Sequence, residues 1–148
     1  MTENQIQEKV LKCLQRYTEH VLKKTSFGQK WDFVEQHLIR FGRDRIGRAD
    51  ITLLINGKPF MIVECKRPRV SQTEIGEGKE QLESYLNASR ANLGIFANND
   101  DPQKWTYYDN SSGFDKIDRS TFWKKIGAAF DTRRDIEKKA QQQKQQRI

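Results

Sequence analysis

From Asn4 to Lys24 apolar residues return every three or four positions, as Ile6, Val10, Leu11, Leu14, Tyr17, Val21 and Leu22. That is the helical period, and it predicts an amphipathic helix of about five turns. Thr25, Ser26 and Gly28 interrupt it, and WDFVEQHLI from Trp31 reads either as a short second helix or as an irregular connection. The segment from Ile39 to Ile46 leans towards strand at its end. Two β-rich runs, ITLLI (Ile51 to Ile55) and KPFMIVECK (Lys58 to Lys66), flank Asn56-Gly57 and predict a hairpin. From Glu74 to Ser89 the residues Ile75, Gly78, Leu82, Tyr85 and Leu86 share one helical face, and LGIFA (Leu93 to Ala97) follows as a short apolar strand. Strand, helix, strand predicts a right-handed crossover to a parallel neighbour. The turn-rich NNDDPQ leads to WTYYD (Trp105 to Asp109), an expected edge strand, and Ser120 is the expected N-cap of a helix through Phe122, Trp123, Ile126 and Phe130. After Ala140 the sequence QQQKQQRI is of low complexity. The elements define an α/β fold with a small central mixed sheet flanked by helices.

A chain of 148 residues holds one domain, expected as a core over 1–118 and a basic helix with a Gln-rich tail over 119–148. No apolar run approaches the ~20 residues that span a bilayer, so no membrane partner is expected. MTENQIQEKV has no apolar leader core and two cysteines are too few for a disulfide framework, which makes a reducing cytoplasm the expected location. The net charge of +7 invites a polyanionic partner. Its distribution tempers that reading: the first 118 residues carry a net +1 and the last 30 a net +6. The basic positions of the tail, Arg133, Arg134, Lys138 and Lys139, fit either a solvated helix face or nucleic-acid binding.

Asp50 begins the first hairpin strand, while Glu64 and Lys66 end the second, each after an apolar run. Alternation puts Glu64 and Lys66 on one face with Phe60 and Ile62. A strict two-residue turn would set Asp50 opposite Val63 and point it away from Glu64. One extra residue sets Asp50 opposite Glu64 instead, so an irregularity is expected, with Gly57 and Pro59 as its sites. Two carboxylates beside an ammonium need a neutralising cation, and oxygen ligands suit Mg²⁺, with Mn²⁺ as a substitute. A metal so held would polarise a phosphate oxygen while Lys66 orients the attacking water; phosphodiester hydrolysis uses this set of parts. Arg40, Arg43, Arg45 and Arg48 precede the hairpin, and Arg67 and Arg69 follow it; they fit either a solvated loop or, in preference, contacts to phosphates on either side of the site. Cys65 alternates away from Glu64 and reads as a buried, inert thiol. His20 and His37 have no partner at zinc spacing.

GRADITLLINGKPFMIVECKRP, with Asp50, Glu64 and Lys66, resembles the PD-(D/E)xK nuclease signature, with Ala49 where that family often has proline. More narrowly it is similar to the N-terminal nuclease domain of type I restriction enzyme motor subunits. That subgroup carries Gln-x-x-x-Tyr on the following helix, and Gln81 and Tyr85 stand at that spacing; IFANNDDPQKWTYYD is similar to its later strands. The resemblance implies a restriction-endonuclease-like core and a Mg²⁺-dependent DNA endonuclease. In it Asp50, Glu64 and the Cys65 carbonyl bind metal, Lys66 assists the water, and Gln81 and Tyr85 orient the site or the phosphate. It also implies an acidic first-helix ligand, for which Glu3, Glu8 and Glu35 are candidates and Glu8 is favoured. No GxxxxGK[ST] occurs, so no nucleotide cofactor is expected. Cutting both strands would require a homodimer or higher assembly. The alternatives are a non-catalytic nucleic-acid-binding or assembly protein and an RNA-directed nuclease.

Overall fold

The computed structural model describes residues 1–25, 30–129 and 142–143. Phe130, the basic run from Arg133 to Lys139 and most of the Gln-rich tail lie outside the described residues. Three helices, α1 (Glu3–Thr25), α2 (Gln72–Ser89) and α3 (residues 119–129), flank a six-stranded mixed sheet. Its strands are β1 (Trp31–Phe41), β2 (Arg45–Ile55), β3 (Lys58–Cys65), β4 (Leu93–Ala97), β5 (Thr106–Asp109) and β6 (Asp115–Ile117), in that spatial order. Only β3 and β4 run parallel, joined across the sheet by α2.

Each helix starts where a side chain meets its free amides. At α1 the Thr2 hydroxyl accepts from the Gln5 amide at 3.2 Å and Gln5 Oε1 accepts from the Thr2 amide at 2.8 Å, a reciprocal box. Ser71 caps α2. For α3 the cap is Asp118, whose carboxylate accepts from the Thr121 amide at 2.6 Å, and not Ser120. A carboxylate three residues before the amide it caps does this as well as a hydroxyl.

The two sheet faces carry separate cores. On one, Ile6, Val10 and Leu14 of α1 and Phe122, Trp123 and Ile126 of α3 pack on Ile51, Leu53, Met61, Val63, Leu93 and Ile95. On the other, Leu82, Tyr85 and Leu86 of α2 pack on Ile62, Phe96, Tyr108, Ala49 and Ile39. Lys125 also ties α3 to β5 through Asp109 at 2.9 Å.

Two expectations for individual elements change. Trp31 to Phe41 is a single eleven-residue edge strand. Its apolar odd positions are interrupted by Glu35 and His37, where the strand swaps its buried face, and that hides the two-residue period. WTYYD is not at the edge, because the three-residue β6 pairs outside it.

Candidate active site

The β2–β3 ladder carries the irregularity that the site requires. Asn56 and Gly57 make a two-residue turn with φ of 52° and 77°, the left-handed pair that suits the strand twist. Ile55 faces Lys58 and Leu54 faces Pro59, but Leu53 faces Met61. The extra residue is therefore Phe60, in the strand beside Pro59 and outside the turn. Beyond it Thr52 faces Ile62 and Ile51 faces Val63, and this register continued sets Asp50 opposite Glu64.

A second irregularity lies across from Asp50. Gln36 sits in β1 with φ of 52°, a left-handed backbone inside a strand. Trp31 and Phe33 pack on the α1 side, whereas Ile39 and Phe41 pack on the α2 side, although all four positions are odd. β2 does the same, with Ile51 on the α1 side and Ala49 on the α2 side. The hairpin thus turns a corner at Gln36 and Asp50. Its outer half folds towards α2, and the Asp50 carboxylate stands at the bend.

Hydrogen bonds fix that carboxylate. The Cys65 amide donates to Asp50 Oδ2 at 2.7 Å, Gln36 Nε2 donates to Oδ1 at 3.3 Å, and the Asp50 amide donates to Glu64 Oε1 at 3.3 Å. Gln7 of α1 completes the frame: its Nε2 donates to the Asp50 carbonyl at 3.1 Å and its Oε1 accepts from Gln36 at 3.3 Å. Glu64 is 4% exposed. Burial, and then the negative charge of Asp50, push its carboxyl up to about 9. Asp50 is raised as well, chiefly by burial. Lys66 follows the end of β3 and its charge offsets both carboxylates. Among the described residues it makes no ion pair. Cys65 is fully buried on the α1 side, and burial raises its thiol.

Gln81 and Tyr85 meet each other. Gln81 Nε2 donates to the Tyr85 hydroxyl at 2.6 Å, and that hydroxyl also takes a bond from the Arg48 backbone. The Tyr85 ring lies 5.3 Å from Phe41. With Arg45, Ile46, Gly47 and Ser84 these side chains line a cleft of about 290 Å³ between the hairpin and α2. The pair therefore fastens β2 beside Asp50.

On α1, Glu8 is exposed and pairs with Lys12 at 3.3 Å. The acidic residue of that helix whose charge reaches both Asp50 and Glu64 is Glu3, one turn before Gln7 on the same face. Glu35 borders a cleft with Asn4, Gln7 and Glu8. Arg43, Arg45, Arg48, Arg67 and Arg69 are all exposed; Arg67 lies 3.9 Å from Glu74. Gln7 and Gln36 were not legible as site residues, since neutral amides on a helix and an edge strand carry no motif.

A mixed sheet between helices, with two carboxylates facing across neighbouring strands and a lysine just beyond, defines a restriction-endonuclease-like α/β domain. The chain belongs to the family described as the type I restriction enzyme R protein N terminus, whose model matches residues 4–116. Comparison with the curated proteins and with the solved structures returned no match.

Proposed function

We propose that the chain is a Mg²⁺-dependent DNA endonuclease module of the restriction type. The observation that carries this reading is the meeting of Asp50 and Glu64 across a bulged ladder, with the Cys65 amide on one carboxylate and Lys66 next in sequence. The donor set fits a hard cation: burial and the Asp50 charge push Glu64 towards its neutral form, a cost that a divalent cation would offset, and Asp50, Glu64 and the Cys65 carbonyl offer only oxygen. Among the described residues no group of three or more His, Cys, Asp or Glu side chains is placed to hold a metal ion. Mg²⁺ needs no such cluster, since it keeps several waters and commonly takes one or two carboxylates plus phosphate oxygens. Bound there, Mg²⁺ or Mn²⁺ would supply Lewis acidity at a phosphate and acidify a water.

The chain's own residues do the rest. Lys66 orients the attacking water and offsets charge at the phosphate. Gln7 and Gln36 hold Asp50 in place. Glu3, with its charge on both carboxylates, takes the role of the first-helix acid in preference to Glu8. Gln81 and Tyr85 fix the Arg48 backbone, and Arg43, Arg45, Arg48, Arg67 and Arg69 contact the DNA backbone. One centre per chain makes a homodimer or higher assembly the form that cuts both strands; the cytoplasm, where such DNA is met, is its location.

The test is cleavage of supercoiled, linear and single-stranded DNA and of RNA with Mg²⁺, comparing wild type with Lys66→Ala and Asp50→Asn. Wild type should nick or cut DNA, and each variant should lose ~10²-fold or more. If wild type and variants behave alike on every substrate, the chain is a non-catalytic binding protein. Cleavage confined to RNA makes it an RNA-directed nuclease.

A further inference from the structure

Beyond the corner at Gln36 and Asp50, the hairpin presents a face that no described helix covers. Leu38 is 56% and Ile46 63% exposed, and with Met1 they are the exposed large hydrophobic residues among those described. One exposed leucine on a surface is ordinary; two aliphatic side chains side by side on one ladder are not. Leu38 faces Arg48 and Arg40 faces Ile46, so the four alternate as a checkerboard on one face, opposite to the Ile39 and Phe41 side that packs on α2. Arg43 and Arg45 stand at the tip, and residues 38–48 carry four arginines against Asp44 alone. None of the four guanidinium groups is ion-paired with another described residue.

A face that interleaves exposed aliphatic side chains with unpaired arginines selects against a second copy of itself, since a twofold contact would bring eight arginines together. It suits a surface that is anionic at its edges and walled by apolar groups between them. The minor groove of duplex DNA is such a surface, with sugar walls between two phosphate strands, and apolar side chains flanked by arginine are a known means of entering it. We propose that this face docks in the minor groove, with Leu38 and Ile46 against the sugars and base edges and Arg40 and Arg48 on the flanking phosphates. Arg48 is two residues from Asp50, so the contact would deliver a phosphate strand to the carboxylates. The proposal rests on the nuclease reading for the choice of DNA, and it adds the groove and the apolar contact.

The experiment measures binding of the full chain to a fluorescent AT-rich duplex in EDTA, where no cleavage occurs. Leu38→Ser/Ile46→Ser should weaken binding about tenfold and leave the slope of log K against log salt unchanged. Arg40→Ala should reduce that slope by about 1. A minor-groove drug should displace the wild type. Both apolar side chains are exposed, and a melting curve confirms that the double variant folds. An affinity within twofold of wild type, or no displacement by the drug, overturns the proposal. So does light scattering that finds wild type dimeric and the double variant monomeric, which would make the face a contact between copies. A wild type that binds no nucleic acid overturns the nuclease reading too, whereas intact cleavage with unchanged variant affinity overturns this inference alone.

Discussion

Glu64 owes its behaviour to its surroundings: burial and the Asp50 charge push it up to about 9 from 4.5. Because the folded value is the higher one, the metal-free folded state holds a proton that the unfolded chain has released between those limits. Stability from this group is therefore complete below about pH 4.5 and is lost as pH rises towards 9. The stability of the metal-free protein should fall between pH 5 and 9, with Glu64 contributing at most ~1.4 kcal/mol per pH unit, read as a falling melting temperature. Glu64→Gln should flatten that dependence. Thr52 offers a prediction of opposite sign. It is fully buried and its hydroxyl has no partner among the described residues, so Thr52→Val removes a desolvated polar group and keeps the branched shape. Denaturant titration should show a gain of about 1 kcal/mol.

Among the elements, the β1–β2 hairpin depends on how closely its outer half approaches α2. A Cβ at Gly47 would stand 2.5 Å from Tyr85 Cε1, 2.7 Å from its hydroxyl and 2.9 Å from Phe41. Gly47→Ala must therefore push Tyr85 out of its bond with Gln81 and away from the Arg48 backbone. It should cost ~1–3 kcal/mol in urea unfolding, and because β2 carries Asp50 it should lower cleavage as well. Tyr85→Phe keeps the ring against Phe41 and loses only the hydroxyl, so it should lower cleavage with a smaller loss of stability.

At the scale of the whole molecule, the centre joins four elements: α1 through Gln7, β1 through Gln36, and the β2–β3 pair. A cation that binds only this assembled set stabilises the fold by mass action, by ~2.7 kcal/mol at a hundred times its dissociation constant. Mg²⁺ or Mn²⁺ should raise the melting temperature of wild type and leave Asp50→Asn unmoved. The same measurement at rising pH should show the metal effect growing, because Glu64 must release its proton to bind.

Composition and period were enough to place α1, the Asn56-Gly57 hairpin and the crossover through α2, and they put Asp50, Glu64 and Lys66 at the ends of the hairpin strands. Each depends on local rules of spacing or turn chemistry; a meeting of Asp50 with Glu64 needed one extra residue, expected at Gly57 or Pro59, and the ladder has it at Phe60, beside Pro59 and outside the turn. Strand β1 and the corner at Gln36 were beyond that reach. A strand that changes its buried face half-way shows no clean alternation, and a left-handed glutamine has no signature. The part of Gln7 was equally hidden, since only the docking angle of α1 on the sheet selects which of its side chains reaches Asp50. The sequence by itself determined which ionisable groups lie at the strand ends. The tertiary structure decided how they are held, because a helix, an edge strand and a bent hairpin must pack together before the frame around Asp50 exists.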